Sequence, residues 1–149
     1  MRIDILTVLP GLLNGPLAES IVKRGIEKGL VEVHLHDIRK YTKDKHKRVD
    51  DTPFGGAAGM VLAIQPIHDA IEDLQTQRVY NEVIFLTPDG ERLAQSRVNQ
   101  LSLCGNILMI CGHYKGIDQR LRDKFVTLEI SIGDYVLSGG ELAAAVLTD

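Results

Sequence analysis

The strongest constraint on the fold is that short apolar segments alternate with segments of helical periodicity along the chain. Apolar or alternating runs predict strands at residues 2–9, 31–35, 82–86, 106–111 and 125–130. Apolar residues at helical spacing predict helices within residues 17–26, 65–74, 93–101, 117–121 and 141–147. Because strands joined through helices form parallel sheets, the sequence predicts an α/β protein with a mainly parallel sheet flanked by helices.

Composition limits the chain to one ordinary globular core. Its 149 residues are 44% hydrophobic and 25% charged, which excludes wholesale disorder and is too short for two full-sized domains. The 17 basic and 20 acidic residues give a net charge of −3. An evenly basic surface is therefore excluded, and any nucleic-acid binding has to come from a local patch of positive charge.

Nothing in the sequence indicates a membrane segment, an export signal or a metal site. The longest apolar stretch, residues 107–111, is far shorter than the ~20 residues that span a bilayer. Cys104 and Cys111 lack the further cysteines or histidines of a zinc site, which predicts free thiols in a cytoplasmic protein. His34 and His36 alternate with apolar residues on a predicted strand, and we interpret them as solvated surface rather than as metal ligands.

Glycines follow three consecutive predicted strands. Gly90 follows the strand at 82–86, Gly112 and Gly116 follow the strand at 106–111, and Gly133, Gly139 and Gly140 follow the strand at 125–130. In a parallel sheet these turns share the carboxyl edge, where ligands bind, and glycine allows the backbone to approach a ligand closely. Single glycines of this kind indicate only tight turns. Three such turns at one sheet edge favour a pocket for a nucleotide-like ligand.

The common phosphate-binding and hydrolase motifs are absent from the sequence. No G-x-G-x-x-G follows the first strand, and neither G-x-x-x-x-G-K-[ST] nor G-x-S-x-G occurs anywhere. The sequence therefore disfavours nicotinamide-dependent, P-loop and serine-hydrolase chemistry.

A basic run occupies residues 39–48 and contains six of the 17 basic residues. Asp50 and Asp51 follow it, and a loop of small residues at 53–60 comes next, which we expect to be flexible. Two interpretations stay open for the run: a solvated face, or an arm that binds phosphates beside a mobile loop. The two aspartates fit three roles, which are to bind a base edge, to cap a turn or to offset the basic charges.

Five segments resemble the bacterial tRNA (guanine-N1)-methyltransferases, the TrmD family of the knotted SPOUT class. They are residues 8–10 (VLP), 49–60 (VDDTPFGGAAGM), 87–90 (TPDG), 111–120 (CGHYKGIDQR) and 130–142 (ISIGDYVLSGGEL). The segments occur in the same order as in the family and extend over the whole chain. The last two are too long and unusual for a chance similarity.

The resemblance implies a deep trefoil knot whose three loops, residues 85–90, 111–116 and 132–140, hold S-adenosylmethionine in a bent shape. The positions that match the family's cofactor contacts are Leu86, Thr87, Pro88, Gly112, Tyr114, Gly116, Ile132, Gly133, Asp134, Tyr135, Val136, Leu137, Gly139 and Gly140. The resemblance also implies a homodimer with the cofactor at the subunit interface. No metal site is implied.

The implied reaction transfers the methyl group to N1 of guanosine 37, next to the tRNA anticodon. The implied tRNA contacts are Lys43, Lys45, His46, Lys47, Arg48 and Asp50. Three alternatives remain: a non-catalytic module that binds cofactor or RNA, another SPOUT RNA methyltransferase, and a generic Rossmann-like nucleotide binder. The family-specific segment 49–60 argues against the second, and the missing first-strand fingerprint argues against the third.

The sequence departs from the family pattern at four places. His113 and Lys115 stand where the family has arginine and glutamate, Asp89 replaces a usual glutamine, and residues 55–60 read GGAAGM instead of GGGPGM. Lys115 reverses the charge near the position expected for the amino-acid end of the cofactor.

Residues 1–149 correspond to the family's N-terminal cofactor-binding domain. The family's C-terminal tRNA-binding domain, the aspartate that acts as general base and an active-site arginine match no residue up to Asp149, so no catalytic residue is assigned. The uncapped helix at 141–147 suggests that the natural chain continues. We expect these 149 residues alone to bind the cofactor weakly and not to methylate tRNA.

Overall fold

The computed structural model describes residues 1–52 and 59–149. At its centre is a sheet of five strands, β1 (Arg2–Thr7), β2 (Glu32–Asp37), β5 (Glu82–Arg92), β6 (Asn106–Cys111) and β7 (Leu128–Ser131). Their order across the sheet is β2-β1-β6-β5-β7. A separate antiparallel pair is formed by β3 (Asp50–Asp51) and β4 (Val61–Leu62). Every neighbouring pair in the central sheet is parallel, which confirms the predicted fold class. The knot stays a prediction.

Helices connect the strands of the central sheet. Within the described residues they are α1 (Asn14–Leu17), α2 (Ser20–Glu27), α3 (Ile64–Gln77), α4 (Gln95–Leu101), α5 (Gln119–Phe125) and α6 (Glu141–Thr148). Two short 3-10 helices, Pro10–Leu13 and Ile38–Lys40, follow β1 and β2. No helix among the described residues is both long enough and apolar enough to cross a membrane.

Both faces of the central sheet are buried. On one face, Leu6 and Phe85 pack against apolar residues of α3 and α5. On the other face, Ile5 and Ile84 pack against Leu13 and α6. Because successive side chains of a strand point to opposite faces, a strand covered on both sides is apolar at every position. This explains why residues 83–86 and 107–111 were recognisable as continuous apolar runs.

The structure differs from the sequence prediction mainly at the ends of elements. The predicted strand at 125–130 was wrong in its first residues, because Phe125 ends α5 and β7 begins at Leu128. Helix α5 begins at Gln119 because the Asp118 side chain accepts a hydrogen bond from the Arg120 backbone N–H (2.9 Å) and caps it. The first strand ends at Thr7 rather than at residue 9.

The segment that follows the first strand contains two helices where the sequence predicted one. Residues 18 and 19 separate α1 from α2. The chain leaves α2 at Gly29, which has φ of 67° and donates its N–H to the Ile26 carbonyl (2.9 Å). Glycine adopts this left-handed conformation at little energetic cost, which allows the chain to turn away from the helix at Gly29.

A buried ion cluster lies at the amino-terminal ends of the strands, opposite the glycine-rich turns. The Asp4 carboxylate, which is inaccessible to solvent, accepts two hydrogen bonds from Arg2 and one from the Tyr80 hydroxyl, each of 2.9 Å. His36 Nε2 lies 2.6 Å from the same carboxylate. Burial raises the pKa of Asp4, but the hydrogen bonds from His36, Arg2 and Tyr80 outweigh it and leave the pKa well below its usual range.

This cluster corrects the interpretation of His36 as solvated surface. The His36 side chain is only 20% exposed, whereas that of His34 is 42% exposed and fits the expectation. Sequence spacing could not reveal the pairing, because Asp4 and His36 lie on adjacent strands. Among the described residues, no group of three or more histidine, cysteine, aspartate or glutamate side chains is arranged to hold a metal ion.

Both cysteines are free thiols. Cys111 is fully buried, and Cys104 is half-buried. Burial, reinforced by the nearby Glu141, raises the pKa of the Cys111 thiol. The predicted free thiols are therefore confirmed, and the Cys111 side chain is part of the core rather than a reactive group.

Candidate active-site cleft

A cleft lies at the carboxyl edge of the central sheet, between three loops. Residues 112–116 follow β6, and residues 132–140 follow β7. The first loop arises within β5, because Leu86 and Glu91 both align with Ile130 of β7 and the four residues between them leave the sheet. All three glycine-bearing turns predicted from the sequence therefore meet at one edge.

Thirteen of the fourteen predicted cofactor positions line this cleft. They are Leu86, Thr87, Pro88, Gly112, Tyr114, Gly116, Ile132, Gly133, Tyr135, Val136, Leu137, Gly139 and Gly140. Asp134 is exposed and does not line it. The structure therefore brings together the positions that the family resemblance implied, with one exception.

The cleft also contains residues that the prediction left out, namely Phe85, Asp89, His113, Lys115, Ile130, Ser131, Ser138 and Ala143. Phe85 and Ile130 are core residues whose edges reach the cleft. Asp89, His113 and Lys115 are three of the positions at which the sequence departs from the family. These three residues are close in sequence to the glycines of the turns, and this closeness could have identified them as lining residues.

Two loops of the cleft are in direct backbone contact at Gly140. Its N–H donates a hydrogen bond of 2.8 Å to the Gly112 carbonyl. A Cβ on Gly140 would lie 2.8 Å from Cys111 Cα and 2.9 Å from the Gly112 nitrogen, which are backbone atoms that cannot move independently. The φ of Gly140 is −80°, so the requirement for glycine here comes from close approach and not from an unusual backbone conformation.

A buried hydrogen-bonded group joins the same two loops to β1. His113 Nε2 lies 2.8 Å from both carboxylate oxygens of Glu141, the first residue of α6. The Thr7 hydroxyl donates to Glu141 Oε1 at 2.5 Å. The Glu141 side chain is 1% exposed and that of His113 is 11% exposed, so these bonds are protected from water. His113 thus holds the 112–116 loop against α6.

The loop after β6 is also attached to the small β3–β4 sheet. The Lys115 N–H donates to the Met60 carbonyl and the Leu62 N–H donates to the Gly116 carbonyl, each at 3.1 Å. Tyr114 has φ of 57°, a left-handed conformation that a bulky residue rarely adopts, and Gly116 has φ of 98°. Strain of this kind persists where surrounding contacts enforce it, and it often marks a functional site.

The basic run forms one exposed turn apart from the cleft. Lys43, Lys45, His46, Lys47 and Arg48 are all exposed, and Asp50 is half-buried in β3. The Asp44 carboxylate organises the turn by accepting hydrogen bonds from the backbone N–H groups of His46 (2.8 Å) and Arg48 (3.2 Å). The hydrogen bond from Arg48 and, to a lesser extent, the one from His46 hold the pKa of Asp44 below its usual range.

Arg48 and Asp50 line a second depression, together with Thr42, Asp51 and Gln65. None of the predicted tRNA contacts lines the first cleft. The two clefts are connected by the β3–β4 sheet, because Met60 lines the second and its carbonyl binds Lys115 of the first. Most of the loop expected at 53–60 lies outside the described residues, so its expected flexibility stays a prediction.

The fold and the cleft define an α/β domain with a cleft among three loops at the carboxyl edge of a parallel sheet, which is where sheets of this kind bind ligands. Over residues 1–149 the chain matches the model of the family described as tRNA (Guanine-1)-methyltransferase TrmD. The chain belongs to this family, which confirms the resemblance found in the sequence.

Named relatives and a solved structure agree with this membership. The chain is 63% identical over 149 residues to a tRNA (guanine-N(1)-)-methyltransferase of Flavobacterium psychrophilum and 59% identical to one of Bacteroides fragilis, covering 100% of this chain and 66% of each relative. The crystal structure of the tRNA (m1G37) methyltransferase from Aquifex aeolicus superimposes with a TM-score of 0.91 at 40% identity, covering 100% of this chain and 67% of that one. The chain thus spans just under two thirds of the length of these curated relatives.

Proposed function

We propose that the cleft binds S-adenosylmethionine and that the protein transfers its methyl group to N1 of guanosine 37 in tRNA. The observation that carries this proposal is that thirteen of the fourteen positions matched to the family's cofactor contacts meet in one cleft. Since tRNA is a cytoplasmic substrate, the same proposal places the protein in the cytoplasm. The trefoil knot belongs to the proposal as the arrangement that holds the three loops together.

The chemistry requires alignment and a base. N1 of guanine carries a proton at neutral pH, so a general base has to remove it as the new bond forms, a contribution of roughly 10²–10⁴-fold. The cleft supplies the other requirement, because rigid loops can hold the sulfonium and its methyl group in line with the incoming nitrogen. The target base has to leave its stack to reach the methyl group.

We assign residues 1–149 to an N-terminal cofactor-binding domain. The length of the relatives that this chain does not match leaves room for a further tRNA-binding domain and for the general base. Among the described residues, the lining of the cleft contains one carboxylate, Asp89, and the family's base matches none of the lining residues.

The proposed reaction is tested with the full-length protein, S-adenosyl-[methyl-³H]methionine and two tRNA transcripts that differ only in guanosine or adenosine at position 37. We expect label in the guanosine transcript alone, and nuclease digestion should recover it as 1-methylguanosine. Label at another base or on ribose would instead support a different SPOUT methyltransferase. Donor binding without any transfer would support the non-catalytic alternative.

The exposed turn of the basic run is proposed to bind tRNA phosphates. Replacing Lys43, Lys45 and Lys47 by alanine should leave the affinity for S-adenosylmethionine unchanged but weaken tRNA binding. Each lost phosphate contact should make the negative slope of log K against log salt shallower by about 0.9. Filter binding across a salt series measures both effects.

The matched control for this variant is the replacement of Lys23, Arg24 and Lys28 by alanine, which removes the same charge from exposed positions in α2 and directly after it. We expect the control to change the salt slope by less than half as much. If the two triple variants behave alike, the basic run is only a solvated face.

We propose that the protein is a homodimer, in which the second copy completes the cofactor site. An exposed apolar surface beside the cleft supports this: Leu12 is 50% exposed, and Leu142 and Val146 of α6 are 51% and 54% exposed. The first 3-10 helix and α6 pack against each other, so these side chains belong to one region of the surface.

Sedimentation equilibrium should give a dimer, and Leu142→Glu should shift the equilibrium toward monomer. A wild-type protein that stays monomeric at high concentration would contradict the proposal.

A further inference from the structure

We propose that Lys115 binds the carboxylate at the amino-acid end of S-adenosylmethionine, as a residue that sets donor affinity in this chain. This inference rests on the proposed function. It concerns a position at which the sequence carries the opposite charge to the family pattern, so the family's own contact cannot serve here.

Lys115 packs against Gly59 and Met60, the two residues that precede β4. Its backbone N–H is bonded to the Met60 carbonyl at 3.1 Å. Its aliphatic stem lies against Gly59, where an added Cβ would come within 2.8 Å of Lys115 Cε and 3.3 Å of Cδ. Gly59 has φ of 102° and no side chain, so it leaves room for the stem along the backbone. The Lys115 Nζ would lie 3.5 Å from the same added Cβ, and Lys115 is one of the residues that line the cleft.

The charges in the cleft indicate which group of the ligand the Lys115 ammonium binds. Lys115 is the only lysine or arginine in the described lining, and no carboxylate of the described residues lies within 4.0 Å of its Nζ. S-adenosylmethionine carries two cationic groups, the sulfonium and the ammonium, and a single anionic group, its carboxylate. Like charges repel, so the one ammonium of the cleft is complementary to the carboxylate and not to the sulfonium.

A phosphate of the bound RNA offers the same anionic chemistry. The basic run that is proposed to bind phosphates lies outside the cleft lining. Lys115 instead belongs to the loop that also contributes Gly112 and Gly116 to the predicted cofactor contacts. The geometry therefore favours the donor carboxylate, and the experiment includes RNA as a separate arm.

Calorimetry on the full-length protein compares Lys115→Met with wild type against three ligands: S-adenosylmethionine, S-adenosylhomocysteine and decarboxylated S-adenosylmethionine. Filter binding of tRNA to the same two proteins is the separate RNA arm. A charge-assisted hydrogen bond at an exposed site predicts about tenfold weaker binding of the first two. The decarboxylated compound should bind both proteins within about twofold, because it lacks the proposed partner. Lys115→Arg should retain most of the affinity, and Lys23→Met controls for the change in net charge.

Four results would overturn the inference. These are unchanged affinity for all three ligands, equal loss for all three, tighter binding of the two ligands that carry a sulfonium, and a loss confined to tRNA binding. The first would mean that Lys115 does not contact the ligand, and the second that its role is structural. The third would mean that its ammonium faces the sulfonium, and the fourth that its partner is an RNA phosphate. If wild type binds neither donor nor product, the proposed function fails instead, so the two failures are distinguishable. Equal melting temperatures of the variants exclude misfolding as the cause.

Discussion

Replacing Gly140 by alanine should lower the affinity for S-adenosylmethionine by more than 100-fold. The added Cβ would lie 2.8 Å from Cys111 Cα and 2.9 Å from the Gly112 nitrogen, so the loop after β7 has to move away from the loop after β6. That movement breaks the hydrogen bond between the Gly140 N–H and the Gly112 carbonyl and opens the cleft. Overpacking of this kind should also cost about 1–3 kcal/mol of the free energy of unfolding. Calorimetry and urea unfolding measure the two effects.

Gly15 provides the matched control, because no atom lies within 4 Å of the Cβ that an alanine would add there. We expect Gly15→Ala to leave the affinity unchanged. Gly112→Ala should fall between the two, since its Cβ would meet the Phe85 ring at 3.1 Å and the Leu86 carbonyl oxygen at 3.3 Å. If Gly140→Ala bound the donor as Gly15→Ala does, the close approach of the two loops would not be what forms the cleft.

Replacing Glu141 by alanine should cost about 3 kcal/mol of the free energy of unfolding and weaken donor binding at least tenfold. The variant leaves His113 and the Thr7 hydroxyl without their buried partner. It also releases the loop at 112–116 from α6, so the glycine contacts in the cleft lose their support. Glu141→Gln keeps the shape and one acceptor, and we expect about half of the loss in stability.

Glu91 is the control for this experiment, because its ion pair with Arg97 is of similar length (2.9 Å) but its side chain is 51% exposed. Surface pairs of this kind contribute about 0–1 kcal/mol. A Glu141→Ala variant that is no less stable than Glu91→Ala, and that binds the donor normally, would show that the buried group does not position the loops.

The inner strands β5 and β6 could be predicted from the sequence because they are buried on both faces. The run at 106–111 is apolar at every position but the first, and the structure forms β6 over the same residues. The two short 3-10 helices and the end of α5 at Phe125 were not predictable in this way. Phe125 begins a run, residues 125–130, in which apolar and polar residues alternate as in a strand. In the structure it is the last residue of α5, whose first turn is capped by Asp118.

The cleft could be predicted because backbone geometry recurs wherever strands are parallel. Gly112, Gly116, Gly139 and Gly140 follow successive strands, so their meeting at one edge is a consequence of topology. Side-chain pairings across the fold were not predictable, because they join residues that are distant in sequence. Asp4 with His36 and His113 with Glu141 are the two examples, separated by 32 and 28 residues.

The most direct test of the central claim is a ¹H–¹⁵N correlation spectrum of the protein titrated with S-adenosylmethionine. Glycine amides give a readable subset of signals from both the cleft and the rest of the fold. We predict the largest shifts at Gly112, Gly116, Gly133, Gly139 and Gly140, and none at Gly11, Gly15, Gly25, Gly29 and Gly105. Unchanged signals from the cleft glycines at a donor concentration that saturates binding by calorimetry would contradict the assignment of the cleft as the cofactor site.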